Sequence, residues 1–473
     1  MLKSPRRLIL GFALAILIVS FALSSRTLAG LSPSGIRTLG LLAFTVILWA
    51  SEAIQPAATS LLVFVLLPLL GILPLNVALA TLGTETVWQL IGIYIIAGAI
   101  TKWQLDRRLA YNLLFLSAGR PALVSLVFLL CGVFFTFLVP APVGKVALLL
   151  PLAAQSLDVL GLPSGGNTGR ATHFALGSIS LFAGVGLLTG CPASLYAAQL
   201  MAREAGATWT YGRWFLVFFP PVLLTALLLW PLLLLLYPPE GRGGAERAAF
   251  LAFLGSQVRS LGRMNGAEKK LALILGLMIG LWATGGYLHT LPVTLVCLMA
   301  AAALFLPGIE LISWREAADS ISWSIILVFS AGLALTGGLT ETGAAAWLGA
   351  QLGHLLGGFT PVQAGTAAFL FLVIVRLGFT TPTAYAAALL PVAFAAAESL
   401  SLNPLWLGAL TAVAAHTAFL YPMESMTLMT AYAASSLTPR DVLRAGGAST
   451  LLAGAVTLLA AYLYWPLLGL AIK

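Results

Sequence analysis

The chain has 473 residues, of which 60% are hydrophobic and only 8% are charged. This composition excludes an ordinary soluble domain, because apolar runs of about 20 residues recur and each can cross a bilayer as a helix. The formal net charge of +9 does not indicate nucleic-acid binding, since the basic residues lie at the ends of the apolar runs. The lipid bilayer is therefore the expected environment.

The first half of the chain predicts a series of membrane helices. A basic start, residues 1–7, precedes the first apolar run, and we interpret residues 1–35 as an N-terminal helix outside the repeat described below, in preference to a cleaved signal peptide. Further elements are predicted at 36–54, 56–73 and 87–104, a basic amphipathic stretch at 105–120, a broken segment at 121–155, and spans at 173–202 and 212–237.

The broken segment contains Val139-Pro-Ala-Pro-Val-Gly144, and two prolines within three residues cannot lie inside one continuous helix. We predict a re-entrant hairpin with its tip at 140–144; a pair of kinked spanning helices is the alternative. Residues 238–269 are charged and rich in glycine, which predicts a cytoplasmic linker.

The second half repeats this plan. Spans are predicted at 270–288, 291–307 and 321–339, followed by a connecting stretch at 340–358, a second hairpin at 361–396 with its tip at 380–383, and spans at 404–432 and 445–470. Landmarks recur at offsets of about half the chain, which divides it into repeats 36–237 and 270–473. The recurring pairs are Trp49 and Trp282, Pro56 and Pro292, Trp88 and Trp323, and Pro151 and Pro391. Duplication of an apolar chain is typical of secondary transporters, whose site lies between the repeats.

The basic residues also predict the orientation. With the N-terminus inside, seventeen Lys and Arg residues fall on the cytoplasmic side and five fall outside. The N-terminus is therefore predicted to be cytoplasmic and the C-terminus outside, in the plasma (inner) membrane. The same arrangement makes the two repeats inverted with respect to each other.

Two further stretches are predicted to be unwound within the membrane. Ala183-Gly-Val-Gly186-Leu-Leu-Thr189-Gly190-Cys-Pro192 lies in the first repeat and Phe419-Leu-Tyr-Pro422-Met-Glu424-Ser425 in the second. Exposed helix N-termini suit carboxylate, sulfate or phosphate, whereas unwound carbonyls suit a cation such as Na⁺.

Several motifs together resemble the divalent anion/sodium symporters. They are Trp49-Ala-Ser-Glu52-Ala-Ile-Gln-Pro56, Leu105-Asp-Arg-Arg108, Gly186-Leu-Leu-Thr189-Gly190-Cys-Pro192-Ala-Ser194, and Leu437-Thr-Pro-Arg-Asp441-Val-Leu-Arg-Ala-Gly446. The resemblance implies an all-α polytopic membrane protein of about 11 transmembrane helices with two re-entrant hairpins, moving as an elevator in a homodimer. It also implies a small divalent anion as substrate, Na⁺ as the possible coupling ion, and no cofactor.

The family carries a Ser-Asn-Thr triplet at each hairpin tip, and this chain departs from it. The second tip has Thr381-Pro382-Thr383, and the first has Ala141-Pro142-Val143 followed by Lys145. By resemblance, the substrate-binding candidates are Ala141, Pro142, Val143, Lys145, Thr189, Thr380, Thr381, Pro382, Thr383 and Ser425. The candidate sodium ligands are Thr189, Gly190, Thr381, Thr383 and Ser425.

Three charged residues are candidates for coupling or as countercharges. A charge at membrane depth is unfavourable without a partner or a task, so Lys145 is expected either to replace one Na⁺ or to pair with the substrate. The alternative is that Lys145 extends to the cytoplasmic surface. Arg376 is a second countercharge candidate, unless it lies near the external interface, and Glu424 could neutralise Lys145 or take up a proton.

The altered first tip leaves alternatives to sodium symport open. They are a Na⁺-independent anion exchanger, a proton-coupled carrier, and a sensory or structural homologue that no longer transports. An intramembrane enzyme is not expected, because the sequence has no His-Glu-x-x-His motif and no Ser/His/Asp grouping.

Overall fold

The computed structural model describes residues 3–24, 30–138, 141–240, 244–356 and 358–473. Over these ranges the chain is helical and forms no β-strand, with one isolated bridge between Gly285 and His289. The prediction of an all-α fold is confirmed.

The first half and the linker contain helices α1 to α12. They are α1 (Lys3–Leu23), α2 (Pro33–Ser51), α3 (Pro56–Leu69), α4 (Leu75–Ala80), α5 (Glu85–Lys102), α6 (Leu105–Leu114), α7 (Pro121–Phe134), α8 (Pro142–Val159), α9 (Asn167–Phe182), α10 (Pro192–Ala205), α11 (Tyr211–Leu236) and α12 (Gly244–Ser260).

The second half contains helices α13 to α22. They are α13 (Gly266–Thr284), α14 (Val293–Ala303), α15 (Trp314–Ser320), α16 (Trp323–Glu341), α17 (Ala344–Leu356), α18 (Pro361–Arg376), α19 (Pro382–Ser399), α20 (Pro404–His416), α21 (Met426–Ala433) and α22 (Pro439–Leu459). A π-turn and a 3₁₀ turn extend α22 to Leu468.

Six of the described helices are long and apolar enough to cross a membrane, and a seventh span results if α4 and α5 count as one span bent by 41°. Five shorter apolar helices accompany them: the α7 segment (Pro121–Phe137), α3, α14, α18 and α20. These lengths are consistent with a polytopic membrane protein in which several spans are broken, and the count of about 11 spans stays a prediction.

The two segments predicted as hairpins have the same construction. Each contains an apolar helix that begins with a proline (α7 and α18) and a second helix that also begins with a proline (α8 and α19). In the second segment, residues 377–381 separate the two helices. The second helices end at Val159 and Ser399, slightly beyond the predicted limits of 155 and 396. Residue 140 of the first predicted tip lies outside the described residues, as does the preceding residue 139.

The predicted spans 173–202 and 404–432 are both interrupted. Loop L1 (residues 183–191) separates α9 from α10, and loop L2 (residues 417–425) separates α20 from α21. Glycines and a proline in L1, and a proline in L2, end regular helix in the middle of apolar sequence. The predicted unwound stretches are therefore present.

The predicted linker contains an ordered helix, which composition did not indicate. Phe250 and Leu254 of α12 are fully buried in an apolar cluster with residues of α6, α7 and α8. Arg108 of α6 donates to the Gly262 and Leu261 carbonyls at 2.8 and 3.0 Å and pairs with Glu268 of α13 at 2.9 Å. The described part of the linker thus packs beneath the first hairpin.

Candidate functional site

A cavity of about 290 Å³ lies where both hairpin tips and both unwound loops meet. Its lining includes Pro142 and Val143 of the first tip, Cys191 and Pro192 at the end of L1, Thr380, Thr381, Pro382 and Thr383 of the second tip, and Ser425, Met426 and Thr427 at the end of L2. Pro56, Ser322, Ser324, Ile325 and Val328 complete it on the opposite side, together with Leu181. The tips, which are remote in sequence, thus share one cavity.

Six helices begin at this cavity. The first residues of α8, α10, α19 and α21 all line it, and so do the starts of α3 and α16. Proline at the first position fits these helix starts, because its missing N–H would have no partner in the helix. A helix N-terminus carries partial positive charge and unpaired N–H groups, so several such ends around one cavity favour an anion.

The caps of these helices differ in a way that matters for a ligand. The side chains of Thr381 and Ser425 accept bonds from the amides of Ala384 and Leu428 at 3.4 and 3.1 Å. The cap residues of α8 and α10, Ala141 and Cys191, make no side-chain cap bond. The first amides of α8 are therefore the better available donors for a bound anion, because in α10 the amides of Ser194 and Leu195 already donate to the Cys191 carbonyl at 3.0 and 3.4 Å.

The lining side chains are hydroxyl-bearing or apolar. Seven hydroxyls border the cavity: Ser322, Ser324, Thr380, Thr381, Thr383, Ser425 and Thr427. Apart from the Cys191 thiol, none of the described lining residues has an ionisable side chain. Hydroxyls and helix amides are donors that carboxylate and sulfate oxygens accept equally well.

Lys145 lies behind the first tip and not on the cavity surface. Its side chain is fully buried, and its Nζ donates to the Thr136 hydroxyl at 2.6 Å. The alternative in which Lys145 extends to the cytoplasmic surface is therefore wrong, because the start of α8 directs the side chain inward against the 3₁₀ turn at Phe135–Phe137 that follows α7. The ammonium is part of the protein interior beside the cavity.

Loop L1 packs directly against this lysine site. A Cβ on Gly190 would come within 2.6 Å of both the Gly184 carbonyl oxygen and the Thr136 side chain. Gly190 therefore allows L1 to approach the partner of Lys145 more closely than any other residue would. Thr189 is buried, and neither Thr189 nor Gly190 is among the residues lining the cavity.

Arg376 is the second buried cation, at the end of the first helix of the second hairpin. Its Nε donates to the Ala415 carbonyl at 2.7 Å and its Nη1 to the Glu424 carbonyl at 3.2 Å, with a further bond to the Phe379 carbonyl. Its side chain is fully buried within the protein. The guanidinium fastens the second tip to the end of α20 and to L2.

Glu424 braces L2. Its carboxylate accepts the amides of Leu420 and Tyr421 at 2.7 and 3.4 Å, and the Tyr421 hydroxyl donates to the Leu377 carbonyl. No ion pair between Glu424 and Lys145 occurs among the described residues. The expectation that Glu424 neutralises Lys145 directly is therefore not met; its charge lies on the arginine side.

The sequence did not predict the residues that line the cavity opposite the hairpin tips, such as Ser322 and Ser324. Thr380 donates to the Glu52 carboxylate at 2.7 Å, which joins the second tip to the end of α2. Ser322 and Ser324 flank Trp323, which was used only as a landmark of the repeat. Hydroxyls next to a repeated tryptophan at a helix start were the available signal.

A larger crevice of about 540 Å³ lies elsewhere, between α5, α10, α13 and α14. Its lining includes Gln89, Gln199, Trp209 and Trp282, and its one charged lining side chain among the described residues is Glu85. A carboxylate disfavours an anion. Although this crevice is larger, the smaller cavity is therefore the better anion site.

Comparison with known proteins identifies the family. The family model described as the sodium:sulfate symporter transmembrane region matches residues 6–471. The chain belongs to the sodium:sulfate symporter family. The resemblance noted from the sequence motifs is thereby confirmed, and family membership makes the protein a multi-pass membrane transporter of anions and not an enzyme.

Relatives within the family are distant but cover nearly the whole chain. A membrane protein of Cupriavidus necator is 25% identical over 97% of this chain and 92% of its own length. The sodium-dependent dicarboxylate transporters SdcS of Staphylococcus saprophyticus and Staphylococcus aureus are 25% identical over 93% of this chain and 88% of theirs. The solved structure of MtrF from Neisseria gonorrhoeae covers 80% of each chain at 11% identity, with a TM-score of 0.46, which is too low to support an argument.

Proposed function

We propose that the protein carries a small dicarboxylate across the plasma membrane and binds it in the 290 Å³ cavity. The observation that carries the proposal is the convergence of four helix N-termini from both hairpins and both unwound loops on that cavity. Two carboxylates of one substrate can then be bound by helix ends from opposite halves of the chain.

The size of the cavity favours a dicarboxylate over sulfate. A volume of about 290 Å³ holds roughly ten waters at about 30 Å³ each, which is more than one sulfate requires. The sodium-dependent dicarboxylate transporters among the relatives support the same substrate class. Citrate and sulfate are the next candidates.

An elevator movement would bring this site to either side of the membrane. The mobile part would comprise residues 121–237 and 361–470, with 36–104 and 270–339 as scaffold, in a homodimer. The cavity supports this division, because Pro56, Ser322 and Ser324 come from the scaffold and the tips come from the mobile part. With the N-terminus cytoplasmic and the repeats inverted, these scaffold residues lie at cytoplasmic helix ends, which corresponds to an inward-facing state.

The test is uptake of labelled succinate, citrate and sulfate into proteoliposomes, with and without a Na⁺ gradient and with unlabelled anion inside. We expect succinate uptake that saturates and is inhibited by the other dicarboxylates. Binding without flux would instead favour a non-transporting homologue.

A charge placed at the cavity tests its location. Val143 is the second residue of α8 and is 39% exposed there, so Val143→Asp is tolerated by the helix start but repels an anion. We expect the half-saturating succinate concentration to rise at least about tenfold, equivalent to about 1.4 kcal/mol. Val143→Asn is the neutral control of matched shape; equal affinities in the two variants would remove the cavity as the substrate site.

A further inference from the structure

The two hairpins correspond residue by residue at a constant separation of 240. Prolines fix the register at three places: Pro121 and Pro361, Pro142 and Pro382, and Pro151 and Pro391. The first two pairs each begin a helix. In this register Thr136 corresponds to Arg376, and Lys145 corresponds to Tyr385.

These corresponding positions are in contact in both hairpins. In the first hairpin, Lys145 of α8 donates to Thr136 at 2.6 Å. In the second, the Arg376 guanidinium lies 5.9 Å from the ring centre of Tyr385 on α19. Each hairpin therefore buries one cation at this pair of corresponding positions. In the first hairpin the cation is Lys145 of the second helix, α8, and in the second hairpin it is Arg376 of the first helix, α18.

The surroundings of Arg376 are those of a bound cation. Its hydrogen bonds are accepted by three carbonyls: that of Ala415 near the end of α20, that of Phe379 just beyond α18, and that of Glu424 in L2. Carbonyls at helix C-termini and in unwound membrane segments are the groups that coordinate Na⁺ in secondary transporters. The guanidinium uses these groups itself, and its Nη2 is buried with no partner among the described residues.

The surroundings of Lys145 follow the same logic in the first half. Its partner Thr136 packs against Gly190 of L1, next to the Gly184 carbonyl. Among the described residues no carboxylate pairs with Lys145. A buried ammonium with one hydroxyl partner is unfavourable on its own, and an anion in the adjoining cavity supplies the missing countercharge.

We propose that Lys145 and Arg376 are fixed cations that replace the coupling cations of the two hairpins, so that dicarboxylate binding and transport need no Na⁺. This inference rests on the proposed function. A fixed cation cannot dissociate, so it moves with the carrier in both directions and takes no energy from a Na⁺ gradient. The empty carrier would have to move with both buried cations lacking an anionic countercharge, which favours return with a second anion and therefore exchange.

Wild-type protein in proteoliposomes gives the first test. Succinate uptake is measured with Na⁺ outside and with choline outside at equal ionic strength, each with and without succinate inside. We expect the two external cations to give rates within about twofold, and internal succinate to raise uptake at least fivefold. Uptake driven by a Na⁺ gradient, or by a proton gradient without internal anion, would overturn the inference and leave the proposed function intact.

A variant tests the lysine through a readout that a merely structural role would not change. Lys145→Thr removes the fixed cation, so we expect succinate affinity in choline to fall at least tenfold and to recover partly when Na⁺, but not choline, is added. Lys102→Thr, which removes a surface lysine paired with Glu316, is the matched control and should behave as wild type. Undiminished affinity of Lys145→Thr in choline contradicts the role of Lys145.

A second variant covers the case in which Lys145→Thr does not fold. Arg376→Lys keeps the positive charge but cannot reach three carbonyls at once, so we expect weaker succinate binding that remains independent of Na⁺. Acquisition of Na⁺ dependence by Arg376→Lys would contradict a role based on charge alone. If wild-type protein neither binds nor transports succinate, citrate or sulfate under any condition, the proposed function fails together with the inference.

Discussion

Glu240 is a residue whose contribution can be isolated from transport. Its carboxylate accepts the amides of Asn167 and Thr168 at 2.5 and 3.0 Å and the Thr168 hydroxyl at 2.5 Å, which caps the start of α9 from the far end of α11. Partial burial alone would raise the pKa of Glu240, but the bonds from Thr168 and Asn167 outweigh it and lower the pKa. The ionised form is therefore the stabilising one.

We predict that Glu240→Gln lowers stability at neutral pH by about 1 kcal/mol, the usual value of a helix cap. Because the pKa is lowered on folding, the contribution is present above the unfolded value of about 4.3 and is lost as the pH falls through the folded value. Thermal unfolding in detergent at several pH values measures the difference. Glu398→Gln, at an exposed position, is the control and should change stability by less than about 0.5 kcal/mol; a gap that persists at the lowest pH would contradict the assignment.

Residue identity alone predicts part of the candidate site. The sequence shows that the first tip has no polar side chains and that a charged residue, Lys145, lies within apolar sequence. The hydrogen bonds from Arg376 to three carbonyls cannot be predicted from residue identity, because the accepting carbonyls are 3, 39 and 48 residues away along the chain. Sequence patterns identify a charge at membrane depth but not the backbone groups that surround it.

At the scale of elements, α22 holds loop L2 in place through one glycine. A Cβ on Gly446 would lie 1.9 Å from the Phe419 carbonyl oxygen and 3.0 Å from the Leu420 Cα, so the helix and the loop are in backbone contact. The neighbouring Gly447 has no atom within 4 Å of the same position. L2 carries Glu424 and ends at Ser425, so its position affects the cavity.

We predict opposite effects for alanine at these adjacent positions. Gly446→Ala must displace the backbone of L2 and should destabilise the protein by about 1–3 kcal/mol and slow succinate uptake. Gly447→Ala meets open space inside a helix and should stabilise by about 0.5–1 kcal/mol with normal uptake. Thermal unfolding and proteoliposome uptake of both variants test this prediction. Equal stability and equal uptake would mean that the L2 backbone can move aside without loss of stability.

Helix boundaries were predicted better than the packing of helices. Prolines marked the starts of α3, α7, α8, α18 and α19, and glycines with prolines marked L1 and L2, because these residues act through local backbone geometry. The charged, glycine-rich composition of residues 238–269 predicts a linker and does not predict helix α12. What orders it is the burial of Phe250 and Leu254, a tertiary contact that local sequence does not encode.

At the scale of the whole molecule, the contact between Thr380 and Glu52 joins the predicted mobile and scaffold parts. The 2.7 Å bond runs from the second hairpin tip to the end of α2. If the mobile part moves across the scaffold during transport, this contact exists in one state and is broken in the other. The convergence of six helix starts on one cavity belongs to the same scale and could not be inferred from the order of elements alone.

We predict that locking this contact stops transport without stopping binding. Cysteines at positions 52 and 380, in a background with Cys191 replaced by serine and shown to transport, should be cross-linked by Hg²⁺ or a short thiol reagent. Cross-linked protein should still bind succinate but show no uptake, and reduction should restore uptake. Each single cysteine variant is the control; undiminished uptake after complete cross-linking would contradict an elevator movement at this contact.

The placement of α12 sets a mechanical limit on any such movement. Residues 261–265 are all that joins α12 to α13, and a fully extended chain from residue 260 to residue 266 spans at most about 20 Å. While Phe250 and Leu254 stay packed beside α8, this short peptide limits the distance between the first hairpin and α13. If the first hairpin moves relative to α13 as proposed, the length of residues 261–265 limits the distance it can travel, and inserting or deleting residues there would change that distance.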